Sequence, residues 1–392
     1  MTIEEQIEIF KRGADDILPS KEALAKKLSL GKPLKIKMGV DPTASDLHLG
    51  HTVPLNKLKQ LQEIGHHIQF LIGDFTAQIG DPSGRSKARP PLSREEVLQF
   101  ARSYTDQVFK ILDREKTEVV YNGDWLEELT LKDAIRLLSK TTVARILERN
   151  DFENRLKNDQ PIHLHEIFYP LLQGYDSVAL ESDVEIGGTD QHFNLLMGRQ
   201  LQQAYGQEPQ ILLTLPLLRG TDGRQKMSKS YGNHIGINED PRTMFDKILS
   251  VPDQLTLEYF TLLSDISGAE LKEIENGLAD YDRNKSDDHR FHPRKLKERL
   301  AREIVTFYHG DYHQIGSVTI SCLADNRIGV VTLLSETGIC SSKSEARRLI
   351  KQKGIKINGR LAEDTVITLN EGDVISKGKK IKKRVIITPQ HT

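Results

Sequence analysis

The sequence predicts an α/β protein whose first domain contains a mostly parallel β-sheet covered by helices on both faces. Between residues 34 and 215, five short apolar segments alternate with stretches of helical periodicity. These segments are LKIKMGV (34–40), IQFLIGDF (68–75), EVVYNGDW (118–125), DVEIGG (183–188) and QILLTLPLL (210–218). In such sheets ligands bind beyond the carboxyl ends of the strands. The residues that follow these segments are therefore candidates for a binding site.

The 392 residues are enough for two to three domains. Residues 89–165 are richer in helical pattern and are interpreted as an insertion between the two halves of the sheet. From about 236 to 320 the pattern is again helical, and the composition changes near 321–330. We expect an α/β domain over 1–222, a helical domain over 223–322 and a small domain over 329–392.

The composition is that of an ordinary globular protein of a reducing compartment, and we expect a cytoplasmic location. The N-terminal segment MTIEEQIEIFKRGADDIL is acidic and amphipathic, unlike a secretory signal. No apolar run approaches the roughly 18 residues that span a bilayer. Cys322 and Cys340 form no CxxC pair, which argues against a disulfide framework or a cysteine metal site. No metal-ligating residues are predicted.

Charge is distributed unevenly along the chain. Residues 329–392 contain 13 Lys/Arg against 6 Asp/Glu, whereas the remaining residues contain 42 against 50. A basic tail on an acidic body indicates contact with a polyanion. A purely solubilising tail is the alternative, and the apolar pattern within the tail weakens it.

The segment DLHLGH (46–51) places two histidines at a predicted strand-to-helix junction. Backbone N–H groups at a helix start lack partners, and anions bind there. His48 and His51 lie one turn apart and would project from one side of the helix. The alternative is a loop in which both histidines only cap or pack.

A second polar segment, GRQKMSKSYGN (223–233), follows a predicted strand and a turn. Lys226 and Lys229, three residues apart among serines and glycines, suit an anionic group whose charge grows during a reaction. Alone, such a loop is usually only solvated. Together with the histidine junction it predicts a site for an anionic group.

Several segments resemble a known family. HLGH and KMSKS (226–230) resemble the two signatures of class I aminoacyl-tRNA synthetases. The resemblance to the tyrosyl-tRNA synthetases, of the bacterial type with a KMSKS loop and a C-terminal S4 domain, covers nearly the whole chain. It rests on the longer strings GVDPTASDLHLGH (39–51), IGDPSGR (79–85), YPLLQGYDS (169–177) and IGGTDQHFN (186–194).

This resemblance implies a Rossmann-like catalytic domain over 1–222, with the insertion (about 89–165) forming the interface of a homodimer. It implies a KMSKS loop with an α-helical anticodon-binding domain over 223–322, and an S4-like RNA-binding domain over 329–392. The implied activity is ligation of L-tyrosine to tRNA(Tyr) through tyrosyl adenylate, with ATP as substrate and Mg²⁺ as cofactor. The chemistry needs no protein nucleophile, so positioning and charge stabilisation can supply catalysis.

The resemblance also implies residue roles. His48 and His51 would bind phosphate oxygens, and Lys226 and Lys229 would clamp the leaving pyrophosphate. The implied ATP-binding residues are Asp41, Thr43, Gly50, Gly188, Asp190 and Lys229, with Arg85 and Arg89 as a further phosphate contact. The implied tyrosine-binding residues are Asp176 at the phenol, Tyr169, Gln173 and Asp81 at the ammonium, Gln191 near the carboxylate, and Thr76.

The spacing of the tyrosine-binding residues has a physical reason. We expect Pro170 in the first turn of a helix, where its missing N–H costs nothing. Tyr169, Gln173 and Asp176 then fall at i, i+4 and i+7, on one face of an otherwise apolar helix. Polar side chains so placed need buried partners. A polar face turned to solvent is the alternative.

One position departs from the family. Many members carry a tyrosine two residues before Gly39, where it shares the phenol hydrogen bond, and this chain has Lys37. The lysine either pairs with Asp176 or points away. We expect Asp176 to carry most of the discrimination between tyrosine and phenylalanine. The KMSKS sequence itself, where many bacterial tyrosyl enzymes have Phe, Gly and Thr, indicates a separate sub-branch.

Residues 335–375 resemble an S4 RNA-binding domain. SKSEARRLIKQ predicts a helix capped by serine, with Arg347, Arg348 and Lys351 on or near one face for phosphate contact. KKIKKR (379–384) adds further charge. Three alternatives stay open at this point: another adenylylating nucleotidyltransferase, a tryptophanyl-tRNA synthetase, and a non-catalytic RNA-binding descendant.

Overall fold

The computed structural model describes residues 1–43, 46–83, 92–284, 289–310, 315–322, 326–370, 372–378 and 381–389. The chain divides into two compact units, Met1–Ala301 and Arg302–Thr392. No helix of the described residues is both long and apolar enough to cross a membrane.

The first unit is built on a six-stranded sheet of order β1-β6-β5-β2-β3-β4. All neighbouring strands are parallel except β1, which runs antiparallel to β6 along one edge. The five predicted apolar segments form β2 to β6, and the α/β prediction is confirmed; the three-residue β1 was not predicted. The strands are β1 (Asp16–Leu18), β2 (Lys35–Val40), β3 (His67–Ile72), β4 (Thr117–Tyr121), β5 (Val184–Gly188) and β6 (Ile211–Leu215).

The chain builds the sheet outward from β2 in two directions. It passes through β3 and β4 on one side, then returns to place β5 and β6 on the other. Adjacent parallel strands whose crossovers diverge leave a crevice at their carboxyl ends. The β2–β5 boundary is that point, and its register is fixed by the pairs Ile36–Val184 and Lys37–Glu185.

Helices connect the strands of this unit. The helix after β2 begins at the histidine junction, and α5 begins with a capping box between Ser93 and Glu96. The helices up to β6 are α1 (Ile3–Lys11), α2 (Lys21–Leu28), α3 (Leu49–Glu63), α4 (Thr76–Ile79), α5 (Arg94–Val108), α6 (Gly123–Leu126), α7 (Leu131–Leu138), α8 (Val143–Leu147), α9 (Asn150–Lys157), α10 (Leu164–Leu180) and α11 (His192–Ala204).

The helix α10 begins earlier than the sequence indicated. The prediction that Pro170 occupies its first turn is wrong, because the helix starts at Leu164 and Pro170 lies inside it. The residues before the proline already satisfy the helix start, since the backbone N–H of His163 donates to Glu166 Oε2 at 2.9 Å. Gly174 lets α10 approach α11 closely: a Cβ there would lie 3.1 Å from the backbone N of Gly198.

The predicted insertion, residues 89–165, includes strand β4 of the sheet; its part after β4 is helical and packs on α10. Its apolar side chains form a cluster with one face of that helix, comprising Leu126, Leu137, Ile146, Phe152, Leu171, Leu172, Val178, Met197 and Leu201. The opposite face of α7 is apolar yet exposed: Leu131, Ile135 and Leu138 lie at i, i+4 and i+7, with exposed fractions of 79%, 59% and 43%. Val143 and Leu164 are exposed as well.

A helical region follows the sheet, consisting of α12 (Pro241–Ser250), α13 (Thr256–Leu263), α14 (Gly268–Asn284) and α15 (Pro293–His309). The prediction of helix up to about residue 320 is wrong for Ile315–Cys322, which form strand β7. This segment, IGSVTISC, contains alternating β-branched residues, which favour a strand. It pairs with the last strand of the chain, so it belongs to the second unit's sheet.

The second unit contains α16 (Val330–Glu336) and α17 (Lys343–Lys351) against a five-stranded sheet of order β10-β9-β12-β13-β7, with β11 paired to β8 beside it. Its core includes Leu333, Leu334, Ala346 and Ile375. The remaining strands are β8 (Arg327–Gly329), β9 (Ile355–Ile357), β10 (Arg360–Leu361), β11 (Val366–Thr368), β12 (Val374–Lys377) and β13 (Ile381–Pro389).

Candidate active site

Two adjoining cavities open at the carboxyl ends of β2 and β5. The histidine–lysine cavity, about 440 Å³, is lined by His48, His51, Lys226 and Lys229 among others. The carboxylate cavity, about 260 Å³, is lined by Asp41, Asp81 and Asp176 among others. The two share Thr43, His51 and Gly188 in their walls. A bound molecule could therefore extend from one into the other.

The two histidines stack at the start of α3. Their ring centroids lie 3.8 Å apart, and the backbone N–H of His48 donates to His51 Nδ1 at 3.2 Å. His48 is the N-cap residue of the helix. Gly50 is required by this stack, because a Cβ there would lie 3.0 Å from the His48 ring.

Both imidazoles are held neutral. Burial lowers the pKa of His51 to about 4, with the charge of Lys229 adding to the effect. Burial also lowers the pKa of His48 to about 2, aided by His51, His234 and Lys229. Within the described residues, His48 Nδ1 is buried and has no hydrogen-bond partner. The stack thus offers neutral hydrogen-bonding groups to a ligand, with one polar atom left for it.

The lysine loop (residues 223–233) is followed directly by a segment that is tethered to the histidine junction through the backbone. Leu49 N donates to Ile235 O at 2.9 Å, and Ile237 N donates to Leu47 O at 3.1 Å. The loop's own anchor is Met227, which is 5% exposed and whose N–H donates to Leu218 O. A buried methionine therefore lies between the two lysines that line the cavity.

The two loop ammonium groups are paired with carboxylates across the cavity. Lys226 Nζ lies 3.1 Å from Asp190 Oδ2, and Lys229 Nζ lies 3.8 Å from Asp46 Oδ2. These side chains are partly exposed, so each pair contributes little stability and can exchange partners. An anion entering the cavity would compete for both lysines.

The carboxylate cavity contains all six residues proposed from the sequence for tyrosine binding: Thr76, Asp81, Tyr169, Gln173, Asp176 and Gln191. Asp41 lines this cavity as well. Tyr169 Oη donates to Asp41 Oδ2 at 2.8 Å, and Thr76 Oγ1 donates to Asp41 Oδ1 at 2.7 Å. Asp41 is thereby fixed on the amino-acid side of the predicted site rather than in the wall of the histidine–lysine cavity.

Asp176 is 2% exposed and is held by two donors. Trp125 Nε1 donates to its Oδ1 at 2.9 Å, and Asn122 Nδ2 donates to its Oδ2 at 3.3 Å. Burial raises the pKa of Asp176 to about 7, while the charge of Lys37 and these hydrogen bonds oppose the rise. The carboxyl group of Asp176 therefore gains or loses its proton near neutral pH, inside a cavity.

A chain of side-chain amides continues from Asp81. Gln191 Nε2 donates to Asp81 Oδ2 at 2.8 Å, and Asn194 Nδ2 donates to both Gln191 Oε1 and Gln173 Oε1. Arg149, buried in the insertion, donates to Asn194 Oδ1 at 3.0 Å. These contacts fix the oxygen of each glutamine amide toward Asn194.

Lys37 follows neither of the two expected courses. Its ammonium pairs with Glu185 Oε1 at 2.9 Å instead of with Asp176, and it lines the carboxylate cavity rather than pointing away. It also donates to Ser177 Oγ at 2.8 Å.

Sequence reasoning missed Asn122, Trp125, Asn194 and Glu185. Asn122 and Trp125 follow β4 directly, so their position at a strand's carboxyl end could have marked them. Glu185, a carboxylate inside the apolar run VEIGG, was another signal. The predicted Arg85 and Arg89 lie outside the described residues. The predicted RNA-binding residues Arg347, Arg348 and Lys351 are exposed on α17 of the second unit.

The chain matches known protein families over most of its length. Residues 29–309 match the model of the family described as tRNA synthetases class I (W and Y), and residues 329–375 match that of the S4 domain. The chain belongs to the class I aminoacyl-tRNA synthetases. It is 50% identical to the tyrosine–tRNA ligase of Aquifex aeolicus, over 98% of this chain and 100% of that protein. It is 47% identical to that of Moorella thermoacetica, over 96% and 94%.

Solved structures support the fold of this synthetase. The tyrosyl-tRNA synthetase from Archaeoglobus fulgidus, complexed with L-tyrosine, superposes with a TM-score of 0.66 at 23% identity, covering 80% of this chain and 99% of that one.

The buried histidine stack of this synthetase generates a pH prediction. Below pH 6.5 these two histidines become protonated in the unfolded chain but stay neutral in the folded chain. Their contribution to the free energy of unfolding is therefore fully present above pH 6.5 and is lost progressively as the pH drops toward 4. We expect the Cε1 resonances of both residues to stay constant between about pH 5.5 and 8. NMR of protein carrying ¹³C at histidine Cε1 measures this, with His48→Gln and His51→Gln giving the assignments.

The same label in urea-unfolded protein is the control, since its histidines titrate near 6.5. A midpoint near 6 for either residue in the folded state would contradict the prediction.

Proposed function

We propose that this synthetase is a tyrosine–tRNA ligase, which activates L-tyrosine with ATP and transfers it to the 3′ end of tRNA(Tyr). The observation that carries the proposal is the buried Asp176, aimed into a cavity that adjoins the histidine–lysine cavity. A phenol hydroxyl donates a hydrogen bond to such an acceptor, whereas a phenyl ring cannot make this bond. The relatives named tyrosine–tRNA ligases support the same reading.

Activation is an attack by a tyrosine carboxylate oxygen on the α-phosphorus of ATP. A phosphorus–oxygen bond forms to the carboxylate as the bond to the β-phosphate breaks, and pyrophosphate leaves. His48 and His51 hydrogen-bond phosphate oxygens as neutral imidazoles. Lys226 and Lys229 leave Asp190 and Asp46 for the pyrophosphate, which carries the developing charge.

Once Lys226 has moved, Asp190 is released to hold the ribose hydroxyls. Gly188, beside it in the wall of the same cavity, leaves room there, because a Cβ on it would lie 2.8 Å from Asp190 Oδ1. Thr43, in the wall of both cavities, borders the bound nucleotide.

The other end of the amino acid lies among the carboxylate cavity's polar groups. Tyr169, Gln173 and Asp81 surround the ammonium, and Gln191 lies beside the carboxylate. Asp41 supports Tyr169 and Thr76 through its two oxygens. We therefore assign Asp41 to positioning the ammonium pocket.

Mg²⁺ enters this scheme with ATP, as the counter-ion of the nucleotide's phosphates. Within the described ranges of the chain, no group of three or more His, Cys, Asp or Glu side chains is arranged to hold a metal ion. We propose a cytoplasmic location for the enzyme, where charged tRNA is used for protein synthesis.

A tryptophanyl enzyme of the same family is the second candidate, because the matched family includes both amino acids. Asp176 favours tyrosine, since its carboxylate lines the cavity and can accept a hydrogen bond from a phenol in addition to those from Trp125 and Asn122. The match of residues 329–375 to the S4 domain also favours a tyrosyl enzyme.

Amino-acid-dependent exchange of pyrophosphate into ATP tests the function. We expect exchange with tyrosine at a kcat/KM at least ~100-fold above that for phenylalanine or tryptophan. This ratio corresponds to ~3 kcal/mol, because neither of the other side chains donates the phenol's hydrogen bond to Asp176.

We expect Lys229→Ala to lower kcat about 100-fold with little change in the KM for tyrosine, because the interaction of Lys229 is made in the transition state.

Lys272→Ala, an exposed lysine on α14, is the matched control and should leave exchange unchanged. Exchange that depends on tryptophan instead of tyrosine would establish the second candidate. Lack of exchange with any amino acid would refute both.

We propose that the synthetase is a homodimer joined through the insertion. The support is the exposed apolar face of α7, together with the exposed Val143 and Leu164, since exposed apolar surface of this kind marks an interface. The symmetric arrangement of most homo-oligomers fits a single self-complementary face.

Changing that face should separate the subunits. We expect the double variant Leu131→Asp/Ile135→Asp to sediment as one 44.4 kDa chain, whereas the unchanged protein sediments at twice that mass. Leu30→Asp, at another exposed leucine (58%), is the control and should leave the dimer intact. A monomeric unchanged protein would contradict the proposal.

We propose that the second unit binds tRNA phosphates through α17. Ser342 caps this helix by accepting from Glu345 N at 3.1 Å, as expected, and Arg347, Arg348 and Lys351 follow on its exposed side. The helical region α12–α15 is proposed to face the anticodon.

Removing these charges should weaken tRNA binding in a salt-dependent way. For Arg347→Ala/Arg348→Ala/Lys351→Ala we expect the slope of log K against log salt to fall by about 2–3, with tyrosine-dependent exchange unchanged. Fluorescence titration with tRNA at several salt concentrations measures the slope. Lys21→Ala/Lys26→Ala/Lys32→Ala, exposed positions in and after α2, is the control; an equal loss there would remove the assignment.

A further inference from the structure

A buried ion pair forms part of the carboxylate cavity's wall. Lys37 Nζ and Glu185 Oε1 are 2.9 Å apart, and their side chains are 1% and 2% exposed. The two residues are register partners on β2 and β5, so they leave the sheet on the same face. Ser177 completes the group, accepting from Lys37 at 2.8 Å and donating to Glu185 Oε2 at 3.0 Å.

This group adjoins Asp176. Ser177 is the next residue of α10, and Lys37, Glu185 and Asp176 line the same cavity. Gln210 Nε2 also donates to Glu185, so each oxygen of that carboxylate has a partner. The geometry of the pair is therefore fixed independently of any ligand.

Stability does not explain the pair. Removing two charges from water costs as much as their attraction returns, and apolar side chains of similar volume commonly serve as well or better. The activation chemistry described above uses neither residue. A buried pair beside the group that recognises the substrate calls for a role in that recognition.

The charges around Asp176 come from several elements. Lys37 faces it from β2 and opposes the rise of its pKa more than any other neighbour, whereas Glu185 faces it from β5 and adds to the rise. Tyr169 lies on the same helix and senses the charge of Asp176. The segment after β4 contributes the neutral donors Asn122 and Trp125.

We propose that the Lys37–Glu185 pair is a specificity-determining element: the ammonium of Lys37, fixed by Glu185 and Ser177, favours the carboxylate form of Asp176 over the neutral acid. This inference rests on the proposed tyrosine substrate. A carboxylate accepts a hydrogen bond about twice as strong as the one that a neutral acid accepts. Burying a carboxylate against a phenyl ring, which cannot donate this bond, therefore costs more free energy than burying the neutral acid there. Protonation of Asp176 therefore erodes the preference for tyrosine over phenylalanine.

The test is the ratio of kcat/KM for tyrosine to that for phenylalanine, measured by pyrophosphate exchange between about pH 6 and 9. Groups that act equally on both substrates cancel in this ratio. In the unchanged enzyme the ratio should rise with pH around the deprotonation of Asp176, whose pKa is about 7.

Three variants should move this midpoint in a defined order. Glu185→Gln should lower it, and Lys37→Gln should raise it by about one pH unit, which is a tenfold loss of selectivity on its acidic side. The double variant Lys37→Gln/Glu185→Gln should lie between the unchanged enzyme and Lys37→Gln, because Lys37 is the stronger influence.

The double variant keeps the test valid if Lys37→Gln fails to fold, because the single change leaves the buried charge of Glu185 without a counter-charge. Lys27→Gln is the matched control: Lys27 is similarly buried and pairs with Asp183, just before β5, at 3.4 Å, but lines neither cavity. Its midpoint should equal that of the unchanged enzyme.

Unmoved midpoints in Glu185→Gln and the double variant, or shifts of one sign in every variant, would overturn the inference and leave the pair a structural feature. An unchanged enzyme with no preference for tyrosine at any pH would instead overturn the proposed function.

Discussion

The parallel pairing of β2 with β5 is the constraint on which the rest of this structure depends. It joins the two halves of the sheet and sets the crevice into which both cavities open. One strand leads into Asp41 and the histidine junction, and the other leads into Gly188 and Asp190. A shift of this register by one residue would turn Lys37 and Glu185 to opposite faces and dissolve the wall of the carboxylate cavity.

The three lysines of the site are paired with carboxylates before any substrate arrives. Each loop lysine is paired with a carboxylate of the histidine–lysine cavity, and the interior lysine of the carboxylate cavity is paired with Glu185. The exposed pairs exchange readily because they are weak, whereas the buried pair is held by its surroundings. The two kinds of pair therefore suit different tasks: the first yields its cations to a transient anion, and the second maintains a constant field.

Much of this arrangement could be predicted from sequence because it is local. The strands β2 to β6 follow from apolar runs, and the site signatures follow from short strings at strand ends. What could not be predicted depends on distant partners. The partner of Lys37 lies 148 positions away, across a strand pairing that periodicity does not specify. The start of α10 was misplaced because a proline was given its usual position at a helix start, whereas here His163 and Glu166 form the start upstream.

The helix α10 connects the two surfaces on which the proposed function depends. One face presents Tyr169, Gln173 and Asp176 to the carboxylate cavity, and the other contributes Leu172 and Val178 to the cluster beneath the insertion. The residues of that cluster are buried and closely packed. A shift of the helix at its cavity face would therefore disturb contacts at its other face. The helix α7, whose other face is apolar and exposed, contributes Leu137 to the same cluster. Pairing of two subunits through that face would therefore reinforce the support on which the substrate-facing side of α10 is held.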